Sequence, residues 1–185
     1  NDIWHKSSTS SVISCYAGFA YIPNNNYLFD NANENMSDFF NIDNLSDQLK
    51  EKIQNIKGHY SFVMETQDYV LAVVDRVRSY PIYYAETNGV LILSSETDIK
   101  GELHLNNVDT ESLLEFEMSG YVAGRKTLHK KVYQMLPGEY LLYEKKSKKL
   151  HRERYYQYGL GDYNLSQKTE DELLKELHQL HLKVF

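Results

Sequence analysis

The chain contains a single cysteine, Cys15. One thiol can neither close an internal disulfide nor furnish a cysteine-based zinc site, which excludes a disulfide-stapled secreted module and suits a reducing compartment. No apolar run approaches the roughly 20 residues that a membrane-spanning helix needs, and the opening Asn1-Asp2-Ile3-Trp4-His5-Lys6 has no signal-peptide pattern. Positive charge is in deficit as well: 20 Lys plus Arg stand against 26 Asp plus Glu, a net charge of -6. That balance argues against a nucleic-acid or membrane-surface partner, and the expected location is the cytoplasm. Nucleotide and hydrolase signatures are missing too. There is no P-loop, no G-x-G-x-x-G, no G-x-S-x-G and no H-E-x-x-H. His178 and His181 lie three apart in the last segment, and two ligands do not make a metal site, so none is expected.

What is present is an ordinary globular composition, 42% hydrophobic and 25% charged, with 16 tyrosines in 185 residues. This length favours one domain with a sizeable core. The stretch 12–22, Val-Ile-Ser-Cys-Tyr-Ala-Gly-Phe-Ala-Tyr-Ile, reads as a strand or a bent strand pair. Apolar residues over 36–56 fall on a helical period, which predicts a short helix beginning near Asn44 and stopped by Gly58. From Gly58 the period switches to two, and Tyr69-Val70-Leu71-Ala72-Val73-Val74 is apolar on both sides, the signature of a strand covered on both faces. Residues 80–86 and 90–95 flank an Asn88-Gly89 turn. Four antiparallel strands in series, a meander, are expected at the centre of the fold. Asp109 can cap a helix through Met118, with Gly120 just past its end. Residues 139–143 and 150–156 form a second hairpin whose tip, Lys145 to Lys149, reads as a solvated turn. Thr169-Glu170-Asp171-Glu172 is a capping box before a leucine stripe at 173, 174, 177 and 180.

Three candidates for chemistry remain. Cys15 has Ser14 and Tyr16 as neighbours in an apolar strand, with no base or cation beside it in sequence, so it reads as a small core hydrophobe. Glu115 and Glu117, two apart on a helix, point to different sides and do not form an acid–base pair. The run Asp75-Arg76-Val77-Arg78-Ser79-Tyr80-Pro81-Ile82-Tyr83-Tyr84 sets charges and a proline between two buried strands and, alone, reads as a turn with a salt bridge.

In company, this run carries more. Gly58-His59-Tyr60-Ser61-Phe62-Val63, then Val73 to Tyr84, then Leu91-Ile92-Leu93-Ser94-Ser95-Glu96 resemble the G-x-F-A-F strand, R-D-x-x-G-x-x-P-L-Y-Y turn and F-A-S-E strand of the glutaminase domain of asparagine synthetases. Gly120-Tyr121-Val122-Ala123-Gly124-Arg125-Lys126-Thr127 is similar to that family's G-Y-V-P-G-x-x-T. Leu136-Pro137-Gly138-Glu139 and Arg154-Tyr155-Tyr156 resemble its L-P-P-G-E and R-x-Y-W. The resemblance implies an α+β fold of N-terminal-nucleophile-hydrolase type, a four-layer αββα sandwich of two antiparallel sheets. It divides the chain into a glutaminase-like domain, 1–158, and a linker with the start of an exit helix, 159–185. It implies no cofactor in this domain, and a following synthetase domain, with ATP and Mg, as partner in the parent chain. A homodimer is a further implied partner.

The departures are as informative. The family's nucleophile is a first-position cysteine whose own α-amine, with an ordinary pKa of about 7.7–8.0, acts as base; this sequence has Asn1 there. Ala17-Gly18-Phe19-Ala20-Tyr21-Ile22 stands where the family has N-G-E-I-Y-N, leaving Gly18 and Tyr21 as a remnant of the oxyanion segment and Ala17 in place of its amide. The family's S-D-x-E substrate clamp has no counterpart, Val74 replaces the turn's arginine and Arg78 its glycine. No catalytic residue is therefore assigned. Asp75, Arg78, Pro81 and Tyr83 are expected to be structural, and the domain is expected to be catalytically silent. Two alternatives stand beside this: an active glutaminase whose nucleophile precedes Asn1, and a stand-alone binding or assembly module.

Overall fold

A computed structural model describes residues 3–9, 11–23, 27–30, 36, 48–97, 99, 107–159 and 168–184. In chain order its elements are β1 (Trp4–Ser8), β2 (Ile13–Tyr21), β3 (Tyr27–Phe29), α1 (Leu49–Asn55), β4 (Lys57–Glu65), β5 (Tyr69–Val74) and β6 (Tyr83–Thr87). They continue with β7 (Val90–Ser94), α2 (Thr110–Ser119), β8 (Tyr133–Gln134), β9 (Glu139–Glu144), β10 (Lys149–Arg154) and α3 (Glu170–Val184).

The strands form two antiparallel sheets. The larger runs β1-β2-β4-β5-β9-β10, with β3 also on β2; the smaller runs β7-β6-β8. Strand β5 explains the layering. Its Leu71 and Val73 join one buried cluster with Phe62, Met64 and the α1 residues Leu49 and Ile53. Its Ala72 and Val74 join the other cluster, with Ile82, Tyr84, Leu91 and Leu93 of the second sheet. The apolar run at 69–74 is thus covered on both faces, by a helix layer and by the second sheet, and the expected α+β sandwich of two stacked antiparallel sheets is what the chain forms.

The continuous meander is not. β4 pairs with β5, but β5 takes β9 as its other neighbour, while β6 and β7 pair in the second sheet. The chain leaves one sheet for the other between Val74 and Tyr83, where a buried Asp75 and a half-buried Pro81 interrupt the strand pattern. Periodicity reports which residues are buried, not which strand lies alongside, so the crossing was invisible to it.

Gly58 also has a different role from the expected helix stop. Helix α1 ends at Asn55, Ile56 is already extended, and Gly58 lies inside β4 at φ +124, pressed against the Phe19 backbone. The expected helix start near Asn44 lies outside the described residues. Helix α2 follows expectation: the Asp109 side chain accepts from Ser112 N, and Gly120 closes the helix at φ +82. In α3, the Glu172 carboxylate accepts from Thr169 N at 2.8 Å, the capping box, and its leucines are exposed.

Candidate functional site

The crossing turn is organised by one carboxylate. An aspartate at the start of a chain reversal can accept the N–H groups that the reversal leaves unpaired. Asp75 Oδ1 accepts from Val77 N at 2.8 Å and Ser79 N at 3.2 Å, and Oδ2 accepts from Tyr60 N at 2.9 Å. Its own N–H donates to the Tyr60 carbonyl at 3.0 Å, and its carbonyl accepts from Gly138 N at 2.8 Å. Asp75 is 1% exposed, so these bonds replace its hydration. The turn is thereby fastened to β4 and to the Pro137-Gly138 corner.

The expected salt bridge within the turn is not found among the described residues. Arg78 donates to Gln134 Oε1 and to the Met135 carbonyl, and Arg76 lies 4.7 Å from the centre of the Tyr156 ring. With Asp75 filled by backbone donors, both arginines serve more distant partners. Arg78 has φ 59, the left-handed backbone that the family's glycine would supply at this point. Pro81 is half-buried beside Ile82, whose carbonyl accepts from Met135 N at 3.0 Å. Tyr83, also half-buried, opens β6 opposite Ser94 and Gln134.

The same turn reaches Gly18. On β2, strand β1 pairs with residues 13–17 and β3 begins at Ala20, so Gly18 and Phe19 fall between them on that edge. On the other edge Gly18 lies opposite Tyr60. Gly18 has φ +83, and a β-carbon there would collide with the His59 carbonyl and stand 2.5 Å from Tyr80 Cε2. Ser61 Oγ donates to the Tyr80 carbonyl, and His59 Nδ1 lies 3.0 Å from Ser79 Oγ. The structure thus brings the turn and Gly18 together through Tyr80, His59, Ser61 and Ser79, four residues that sequence reasoning did not single out. Tyr21 lies at the far end of β2, opposite Lys57 and Tyr27, away from this contact.

Cys15 is not the core hydrophobe expected. It is half-buried and lines a cleft of about 280 Å³ between the sheets, with Trp4, Val63, Ile82, Leu93, Ser94 and Ser95. None of these neighbours is a base or a cation, so nothing in the lining favours a thiolate. Ala17 is fully buried and offers only a methyl. Glu115 accepts from Ala123 N at 3.0 Å, a local tie. Among the described residues no three His, Cys, Asp or Glu side chains could share a metal, and no helix is long and apolar enough to cross a membrane.

Behind the turn, Tyr155 donates from its hydroxyl to the Val74 carbonyl at 2.8 Å, with the Tyr60 hydroxyl 3.3 Å away. Burial pushes the Tyr155 phenol up to about 12 and raises that of Tyr60 as well. The Glu139 carboxylate, fully buried at the foot of β9, is held by Arg125 and by Leu136 N at 2.8 Å. That pairing joins two of the sequence motifs across the second sheet's edge.

Comparison with known proteins gives a family match: the model of the glutamine amidotransferase domain fits residues 43–156, more than half of the chain. No curated protein sequence matches. Among solved structures, the glutamine phosphoribosylpyrophosphate amidotransferase from B. subtilis, complexed with ADP and GMP, is similar at 16% identity and a TM-score of 0.45, over 85% of this chain and 32% of that one. A structure described as the allosteric regulatory enzyme of purine biosynthesis is similar at 15% identity and a TM-score of 0.46, over 85% and 31%. The chain spans about a third of the length of these two structures.

Proposed function

Since the chain belongs to the glutamine amidotransferase domain family, we propose that it is a catalytically silent member, retained as the glutaminase-like domain of an ATP-dependent, asparagine-synthetase-related enzyme. The observation that carries this reading is the setting of Cys15, the chain's one thiol. Attack on a glutamine amide needs a thiolate, a base to generate it and donors for the developing oxyanion. The described lining of the Cys15 cleft supplies no base or cation, and Ala17 supplies no donor. Tyr80 and the His59 carbonyl cover Gly18. Asp75, Arg78, Pro81 and Tyr83 act structurally: they hold the crossing between sheets.

In this reading residues 1–158 are the domain and 159–185 lead to a synthetase domain, where ATP and Mg would act. The product is an amide formed from free ammonia or another amine. A single cysteine suits the reducing cytoplasm.

The test is direct. The protein expressed from its native start codon is incubated with glutamine while glutamate and ammonia are measured, with and without a glutamine-analogue electrophile. No glutamine-dependent release is expected. Release abolished by the electrophile would overturn the silent reading and favour an active glutaminase. Reading the gene past Phe185 tests the parent: an S-G-G-x-D-S sequence supports a synthetase, and an immediate stop codon refutes it.

A further inference from the structure

A hydroxyl becomes a nucleophile when a base within hydrogen-bond reach can take its proton. Such a pair lies outside the Cys15 cleft: Ser79 Oγ and His59 Nδ1 are 3.0 Å apart. Both residues are exposed, so a small substrate can approach them. The backbone fixes each partner. Ser79 sits on the crossing turn, where its N–H donates to both Asp75 carboxylate oxygens, at 3.2 and 3.3 Å, and its hydroxyl is left to the imidazole. His59 projects from β4 opposite Phe19, whose ring meets the imidazole edge-on with centroids 5.9 Å apart. Turn and strand are joined again where the Ser61 hydroxyl donates to the Tyr80 carbonyl.

We propose that Ser79 and His59 form a serine–histidine dyad that transfers acyl groups from aryl esters of short carboxylic acids. In the tautomer with its hydrogen on Nε2, His59 accepts from the Ser79 hydroxyl through Nδ1. Ser79 Oγ attacks the ester carbonyl carbon as its proton passes to Nδ1. The tetrahedral intermediate then expels the phenol, which leaves with that proton. Water hydrolyses the acyl-serine by the same route: its proton goes to Nδ1 and then to Ser79 Oγ, and the carboxylic acid departs.

The oxyanion of each intermediate needs a donor. The N–H of Tyr80, the residue directly after Ser79, has no hydrogen-bond partner among the described residues and fills this place, as the residue after the nucleophile does in a nucleophile elbow. Phe19, 42% exposed beside His59, gives the aryl group an apolar rest. Among the described residues no carboxylate bonds to His59 to steady its imidazolium, so the leaving group must be a good one. A phenol meets that need and the amide of glutamine does not, which keeps this chemistry apart from the silent glutaminase.

The intact chain mixed with para-nitrophenyl acetate tests this. The expected result is a burst of about one equivalent of nitrophenol, then slow release, with one acetyl group found on Ser79 after rapid quenching. Ser79→Ala should abolish both the burst and labelling by an aryl fluorophosphonate; its urea midpoint should stay, since the bonds to Asp75 come from the backbone N–H. His59→Gln keeps the hydroxyl and should slow acylation about a hundredfold or more. Cys15→Ser should keep the burst, and its loss there would assign acylation to the thiol and overturn the proposal. Equal rates for wild type and Ser79→Ala, or acetyl groups on lysines alone, also overturn it. None of these results touches the glutamine assay, so the two readings fail separately.

Discussion

Gly18 lies against the ring of Tyr80, which approaches to 2.5 Å from the point where a side chain on Gly18 would begin. The contact has two walls of different stiffness: the Tyr80 ring can turn aside, whereas the His59 carbonyl is part of β4. Gly18→Ala is therefore expected to cost about 3 kcal/mol or more, from the clash and from a φ of +83. Tyr80→Ala in the same chain should recover only a minor part. Urea unfolding of the two single variants and the double variant measures this, and full recovery in the double variant would show that the ring is the only obstacle.

Asp75→Ala removes the acceptor for three backbone N–H groups, of Tyr60, Val77 and Ser79, in a place closed to water. Hydrogen bonds to a charged group contribute about 1.5–3 kcal/mol each, and unpaired buried donors are costly. The expected loss is about 3 kcal/mol, with Asp75→Asn losing roughly half because one carbonyl oxygen remains. Denaturant midpoints decide; an Ala variant that unfolds with the wild type would refute the assignment.

Much of this was legible beforehand, and the reasons differ by element. β5 announced its double burial because six apolar residues in succession leave no face for water. Helix α2 was legible because Asp109 and Gly120 are chemical punctuation. β3 and β8 were missed because three and two residues are too few for any period, and β1 because Trp-His-Lys-Ser-Ser is held by pairing with β2 more than by burial. The Asp75 turn could be found from its residues, but not the contact of Tyr80 with Gly18, which joins positions 62 apart in sequence. Cys15 was misplaced for a related reason: a strand's apolar face says that something covers it, and here the cover stands off to leave a cleft.

Arg125 and Glu139 form an unequal pair, since the carboxylate is fully buried and the guanidinium side chain is 31% exposed. Removing the arginine strands a charge in the interior, while removing the glutamate frees a cation that can reach water. Arg125→Ala should cost about 3 kcal/mol. Glu139→Gln should cost less, because Gln can still accept from Leu136 N. Thermal unfolding of both variants gives the order, and the reverse order would refute it.

The phenols behind the turn make stability depend on alkaline pH. The folded state holds Tyr155 and Tyr60 protonated beyond their ordinary value of about 10, the first up to about 12, chiefly because burial penalises the phenolate. A group whose folded pKa is raised contributes stability that is complete below the unfolded pKa and is lost as pH climbs toward the folded one. Stability should hold to about pH 10 and then fall between pH 10 and 12, as the unfolded chain releases protons that the folded chain retains. Tyr155→Phe removes one of these protons together with the bond to the Val74 carbonyl, so it should be less stable at neutral pH, by about 1 kcal/mol, yet lose less between pH 10 and 12. Urea midpoints at neutral and alkaline pH, read beside phenolate absorbance, separate the two effects. Parallel decline of variant and wild type would mean that Tyr155 does not carry the alkaline transition.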